Sequence, residues 1–383
     1  MIAFSRNDNS LLSRWWWTVD RWMLILIVIL IVLGLWLALT ASPAVAERLG
    51  LDSMHFVKKQ GLFLGLSLIS IITISMMSGN FVRRLAVIGL PITLVLMALT
   101  LWIGPEIKGA TRWLQIGSFT LQPSEFLKPF FIVTTAWILS ADLRGEKIPA
   151  KQVAGGLFLL VVFMLILQPD FGQTILVSTV WIAQMALAGL PLTWLGVAGG
   201  MGLLGIGIGY ATLPHVASRI DRFINPASGD TYQVDKAMEA FGSGGLFGKG
   251  PGEGAVKLGL PDAHTDYIFA VVGEEFGSVA GVMLLLLFAG IVIRGLAHLM
   301  HEENPFRMLA AAGLIMQFGI QTLINIGVNL ALLPSKGMTL PFISYGGSSM
   351  LALAIGMGMV LALTRRNRFI TPWSDPLGWK AAE

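Results

Sequence analysis

Runs of about twenty apolar residues, separated by short polar or glycine- and proline-rich breaks, recur from one end of the chain to the other. Each run is long enough to cross a hydrocarbon layer of about 30 Å as a helix. Ten stand out, at about 22–41, 60–78, 85–104, 126–141, 153–167, 174–189, 192–212, 267–293, 308–332 and 344–363. They predict an all-α polytopic membrane protein, one ten-span domain with tails at 1–21 and 364–383. The first run sits between a basic N-terminus and "ASPAVAE", which imitates a secretory signal with its cleavage site. It exceeds the 7–15 apolar residues usual there, and nine more runs follow, so it reads as a span.

Charge supports this reading and orients it. Of the 383 residues 55% are hydrophobic and 13% charged, against roughly 25% charged in soluble domains. With ten spans both termini share one side. That side carries 14 of the 26 Lys and Arg, among them Arg83, Arg84, Arg144, Lys147, Arg294 and Arg307. The other side has seven once the five in the long segment 213–265 are set aside. The positive-inside rule therefore puts both termini in the cytoplasm. A net charge of +4 gathered in short loops calls for no nucleic acid. With no cysteine, disulfides and thiolate metal sites are excluded.

The segments left outside, 42–59, 105–125, 168–173, 213–266 and 333–343, hold most of the prolines, glycines and acids that no span requires. Segment 213–265 is far longer than a connection needs, which points to function or disorder. "GMGLLG" (200–205) fits a dinucleotide fingerprint, but it lies within an apolar run with no preceding strand. Small residues that let helices approach closely account for it better. "FGSGGLFGKGPGEG" (241–254) has Gly250 after Lys249 where a P-loop requires Ser or Thr, leaving a flexible outer loop or a backbone cradle for a diphosphate. "HLMHEEN" (298–304) lacks the second histidine of a zincin helix and reads as a cytoplasmic loop.

The carboxylates resist a bland account. An acid well inside a span costs about 2.5–3.5 kcal/mol, so it faces a partner or a polar cavity. Asp170 in "LQPDFGQ" breaks the apolar pattern between two spans. Glu125 and Lys128 in "LQPSEFLKPF" share one helical face, either as a plain i,i+3 ion pair or as an acid and cation lining a groove. In "LPDAHTDYIFAVVGEEFG" (260–277), Thr265 or Asp266 could cap the helix that follows. Alternatively, Asp266 meets a lipid headgroup at the outer membrane surface. Glu274 and Glu275 lie on other faces and are expected to brace the span.

Four outward segments carry a resemblance: "KGATRWLQIGSFTLQPSEFLKP" (108–129), "LQPDFGQ" (167–173), "GLFGKGPGEGAVKLGLPDAHTDYIFAVVGEEFG" (245–277) and "LPSKGMTLPFISYGGSS" (333–349). Together they resemble the SEDS family (shape, elongation, division and sporulation), over almost the whole chain and including the ten-span layout. "RWWWTVDRWML" followed by "ASPAVAE" looks like the cell-division branch. Asp262 and Tyr267 depart from the Glu and Phe that many members carry. The resemblance implies a peptidoglycan glycosyltransferase of the bacterial inner membrane that polymerises lipid II. It places the catalytic aspartate of the "HTD" motif at Asp266 and substrate-binding residues at Arg112, Trp113, Glu125, Lys128 and Lys336, with His264 of the same motif beside them. It also implies a class B penicillin-binding protein and other division membrane proteins as partners.

The residues suit that chemistry. The 4-hydroxyl of an acceptor GlcNAc attacks the anomeric carbon of a donor MurNAc, an α-linked diphosphate leaves, and a β-1,4 bond forms with inversion. One displacement needs one base for the hydroxyl proton and cations for the leaving diphosphate. Asp266 is the candidate base; Lys336, Arg112 and Lys128 are candidate clamps. Trp113 either stacks on a sugar or sits at the membrane interface. Asp266 is equally able to hold a divalent cation, Mg2+ or Mn2+; no organic cofactor is expected. The rival reading is a lipid II flippase, which would need a polar path through both leaflets, whereas the inner loop "AGLPL" carries no charge. A scaffold for division partners would leave the outer acids and cations without a task.

Overall fold

The computed structural model describes residues 10–106, 110–117, 119–212, 214–225, 231–335 and 337–365. Lys336 and the tail beyond Arg365 lie outside the described residues. Every predicted span falls on a helix. A short α1 (Leu11–Thr18) precedes α2 (Arg21–Arg48), α3 (His55–Ser75) and α4 (Gly79–Ile103); then come α5 (Pro123–Leu143), α6 (Ala150–Leu167), α7 (Phe171–Leu187) and α8 (Leu192–Thr212). The last three spans are α11 (Ile268–Leu299), α12 (Pro305–Asn329) and α13 (Gly347–Leu363). Seven of these helices are long and apolar enough to cross a membrane by length and composition. Two more, α7 and α13, are shorter and apolar. The run "ASPAVAE" is the last turns of α2, which continues through Pro43.

Helices α5, α12 and α13 are buried over most of their length and form the centre. The others pack round them and show apolar side chains outward, as a lipid-facing surface does. Fully buried Gln60 on α3 ties this frame together: its amide donates to the carbonyls of Gly34 on α2 (3.1 Å) and Ile343 before α13 (2.9 Å). Both ends of the described chain meet at one end of the bundle, where the Arg365 guanidinium donates to Thr18 Oγ1 and to the carbonyls of Ser75 and Met76. Asp20 caps α2 at that same end and pairs with Arg294 at 2.7 Å.

Two expectations change. Helix α8 packs on α7 and α9 (Pro214–Ile224) at the edge of the bundle. A Cβ at Gly200, Gly202, Gly205 or Gly207 would meet no atom within 4 Å. Among the described residues, then, no neighbouring helix is seated on the glycines of "GMGLLG". The described parts of the long segment are regular rather than loose. It contains α9, α10 (Tyr232–Gly244) and a 3₁₀ turn (Val256–Gly259), and α10 lies along α11.

The glycine-rich stretch is neither a flexible loop nor a phosphate cradle. Helix α11 breaks at Gly277 (φ 80°, ψ 174°), which frees carbonyls of the turn before it. The amides of Lys249 and Gly250 donate to the Glu274 and Glu275 carbonyls, both at 3.0 Å. The Glu274 carboxylate takes the amides of Val256 (2.8 Å) and Lys257 (2.9 Å). Glu275 pairs with the buried Lys257 ammonium, which also donates to the Thr40 carbonyl on α2 at 2.9 Å. The two glutamates thus brace α11 as expected, by satisfying a backbone that would otherwise be unpaired. Gly248 (φ 78°) lies so close that a Cβ would overlap the Glu275 carbonyl, whereas Gly252 (φ 86°) has nothing within 4 Å. Gly252→Ala is expected to cost about 1 kcal/mol from left-handed strain alone. Gly248→Ala adds the clash, for about 3 kcal/mol in all. Thermal melts of the detergent-solubilised variants check the order; equal losses would contradict the packing described.

Candidate active site

At the end of the bundle opposite Arg365, six chain segments enclose a cavity of about 350 Å³. Helix α3 contributes Lys59 and Phe63, one turn apart. The segment between α4 and α5 contributes Arg112 and Trp113, then a small hairpin of β1 (Leu114–Ile116) and β2 (Phe119–Leu121). Glu125 comes from α5, Asp170 from the α6–α7 turn, Asp266 from the turn entering α11, and Gly337, Thr339 and Tyr345 from the strap before α13.

Asp266 is half-buried and faces Gly337, where a built Cβ would stand 3.1 Å from its Oδ2. The capping alternative falls away: the N-cap of α11 is Tyr267 and no side chain caps from within. That duty passes to α12, where Asn329 Oδ1 accepts the Ala270 amide at 3.0 Å. The Asp266 carbonyl in turn accepts from Asn325 Nδ2 at 3.0 Å and Asn329 Nδ2 at 2.8 Å.

Arg112 faces the cavity but is already engaged. Its guanidinium donates to the Gln168 carbonyl at 3.0 Å and to the Pro169 carbonyl, and Nη1 lies 3.7 Å from Asp170. Asp170 caps α7 through the Gln173 amide. Burial pushes its carboxyl above the usual range, and Arg112 acts against that shift. Glu125 and Lys128 do form the i,i+3 pair, at 2.8 Å, but they are not equivalent. Glu125 reaches the cavity wall, where Gln173 also donates to it. Lys128 is fully buried behind it, donating to Gln321 Oε1 at 3.2 Å. Lys128 is thus not on the wall: the i,i+3 face that carries Glu125 outward turns Lys128 into the helix interface. Trp113 does line the cavity.

His264 does not line the cavity either. Its ring sits 4.6 Å from that of Phe56 and 5.5 Å from that of Tyr345, and its carbonyl accepts the Tyr345 amide at 2.9 Å. Burial drives its pKa down to about 4, so it is neutral near pH 7. Lys336 lies outside the described residues, although its neighbour Gly337 is on the wall. Sequence reasoning missed Lys59, Asn325 and Asn329: a lysine at a helix mouth and asparagines in an apolar helix give no local signal of convergence.

Because His264 binds fewer protons folded than unfolded, its share of stability is present above about pH 6.5 and declines as pH falls toward 4. Thermal melts from pH 7 to 4 are expected to show a loss that His264→Phe reduces. An unchanged pH dependence would contradict the burial.

The family model described as cell cycle protein, FtsW/RodA/SpoVE, matches residues 21–369. A probable peptidoglycan glycosyltransferase FtsW of Caulobacter vibrioides is 46% identical over 366 residues, covering 95% of this chain and 94% of the relative. Stage V sporulation protein E of Bacillus subtilis is 32% identical over 366 residues, covering 91% and 98%. Among solved structures, a chain of a peptidoglycan synthase complex in which polymerization and crosslinking are coordinated superposes with TM-score 0.76 at 28% identity, covering 90% and 97%. The rod shape determining protein RodA of Thermus thermophilus gives 0.68 at 29%, covering 91% and 97%. The chain belongs to the FtsW/RodA/SpoVE family.

Proposed function

We propose that the protein is a peptidoglycan glycosyltransferase that joins lipid II units into β-1,4-linked glycan during cell division. The observation that carries this reading is the placement of Asp266. One carboxylate, on a backbone anchored to a central helix, faces a cavity at the membrane-surface end of the bundle. Cations share the same wall.

In the reaction the acceptor 4-oxygen forms a bond to the donor anomeric carbon, the bond from that carbon to the diphosphate oxygen breaks, and Asp266 takes the hydroxyl proton. The leaving group carries away its bonding pair as polyprenyl diphosphate. Lys59 has no hydrogen-bond or ion-pair partner among the described residues and stands on the wall, so it is available for that charge. Arg112 adds its outward edge while holding the α6–α7 turn. Trp113 and Phe63 offer flat apolar faces to sugar rings. Among the described residues no three acidic or histidine side chains gather into a metal cluster. A Mg2+ ion, if recruited with the diphosphate, would be held on the protein side by Asp266. Bound there, it would neutralise leaving-group charge.

The basic loops support an extracytoplasmic position for the cavity end at the inner membrane, with both termini in the cytoplasm. A class B penicillin-binding protein, cross-linking what this chain polymerises, is the natural partner. Likeness to a synthase complex that coordinates the two activities supports this. Against transport, the polar groups beneath the cavity bond one another: Lys128 with Glu125 and Gln321, Thr135 with Gln184 at 3.0 Å.

Purified protein with its partner, given lipid II and scored by glycan length on a gel, tests the reading. Asp266→Asn should lower the rate by about 10²- to 10⁴-fold, the range for removing a general base; full activity would remove Asp266 from the mechanism. Lys59→Met and Arg112→Met should both weaken kcat/KM. Only Arg112→Met should also lower the melting temperature, because three backbone or carboxylate acceptors lose their donor.

A further inference from the structure

Helix α12 presents three amide side chains at i, i+4 and i+8, Gln321, Asn325 and Asn329, which share one face. All three are buried, at 1%, 1% and 0% exposure, and none lines the cavity. Each is bonded to backbone of a segment that builds the site. Gln321 Nε2 donates to the Thr339 carbonyl at 3.1 Å. Asn325 Nδ2 donates both to the Met338 carbonyl at 2.6 Å and to the Asp266 carbonyl at 3.0 Å. Asn329 Nδ2 donates to the Asp266 carbonyl at 2.8 Å, and its Oδ1 takes the Ala270 amide at 3.0 Å.

The bonds of Asn325 decide the geometry. A single –NH₂ group holds two carbonyls from segments 72 residues apart, Asp266 in the turn entering α11 and Met338 in the strap before α13. Met338 follows Gly337, whose Cα faces the Asp266 carboxylate so closely that a methyl group would stand 3.1 Å from Oδ2. Fixing the Asp266 and Met338 carbonyls together therefore fixes the gap in which the carboxylate sits. No other common small side chain does this: a hydroxyl has one donor and a carboxylate has none. The turn's own bonds, from the Thr265 and Tyr267 amides and the Thr265 hydroxyl to the Asp262 carbonyl, hold it internally but do not tie it to the strap.

We propose that Asn325, supported by Asn329, is a positioning residue for glycosyl transfer: its amide staples the Asp266 turn to the Gly337 strap and so sets where the carboxylate stands relative to the acceptor hydroxyl. This rests on Asp266 acting as the base. Neither asparagine touches substrate, so substrate binding is left to the cavity wall while the approach of base to hydroxyl depends on the staple. A misplacement of about 1 Å is enough to cost about 10²-fold in rate.

The experiment uses the full chain with its partner and lipid II, comparing Asn325→Asp, Gly337→Ala and Asp266→Ala with the parent for kcat, KM and melting temperature. Asn325→Asp keeps the shape and removes both donated bonds. Gly337→Ala, at an exposed position without left-handed backbone, crowds the same gap without disturbing the core, so it reports even if Asn325→Asp folds poorly. Both are expected to lower kcat by about 10²-fold; in Asn325→Asp, which leaves the wall intact, KM should stay within about twofold, the signature of an interaction realised in the transition state. Gly337→Ala is expected to melt with the parent. Parental kcat in Gly337→Ala or in folded Asn325→Asp, with Asp266→Ala inactive, overturns the staple and leaves the base assignment standing. So does a loss that appears in KM and melting temperature instead of kcat, since that marks a merely structural role. An active Asp266→Ala overturns the base assignment itself, and the staple with it.

Discussion

Hydrocarbon offers no hydrogen-bond partners, so each polar group that enters a bilayer must be answered from within the protein. That constraint shapes the cavity end of this molecule. Asparagine and glutamine amides on α12 answer the backbone of two irregular segments. Arg112 answers the carbonyls where α6 ends, and the Glu274 carboxylate answers the Val256 and Lys257 amides beside the break in α11. A site needs irregular backbone to aim its groups, and here that backbone persists at membrane depth because buried side chains complete it.

The same bookkeeping separates charges that hold from charges that act. Lys128 is locked between Glu125 and Gln321, and Arg112 is largely committed to the turn it clamps. Lys59 and Asp266 both remain on the wall, and the proposed reaction assigns the first to a diphosphate and the second to a hydroxyl proton. An inverting displacement asks for little more than this: a base, a neutralising cation and a fixed geometry between two sugars.

Much of this was legible in the sequence. Apolar period and length located a helix at each of the ten predicted positions, seven of them long and apolar enough to cross a membrane, because burial in lipid demands an unbroken run. The i,i+3 spacing of Glu125 and Lys128 revealed their pairing, and the resemblance drew Asp266, Arg112, Trp113 and Glu125 to one cavity. What stayed hidden depends on direction or on distant partners. Spacing does not say that Glu125 points into the cavity while Lys128 points away, nor that His264 turns into a cluster with Phe56 and Tyr345. Lys249 and Gly250 read as part of a flexible loop until α11, some thirty residues on, broke at Gly277 and required their amides. Asn325 and Asn329 lie in a helix whose pattern is mostly apolar, and their purpose exists only where three segments meet.

The central claim is that Asp266 stands in a substrate cavity open to the outer surface. The absence of cysteine from the sequence makes Asp266→Cys a unique reporter. A membrane-impermeant thiol reagent added to intact spheroplasts is expected to label it from outside, and lipid II is expected to slow labelling of the purified variant. Labelling from the cytoplasmic side alone, or a rate that lipid II leaves unchanged, would contradict the account.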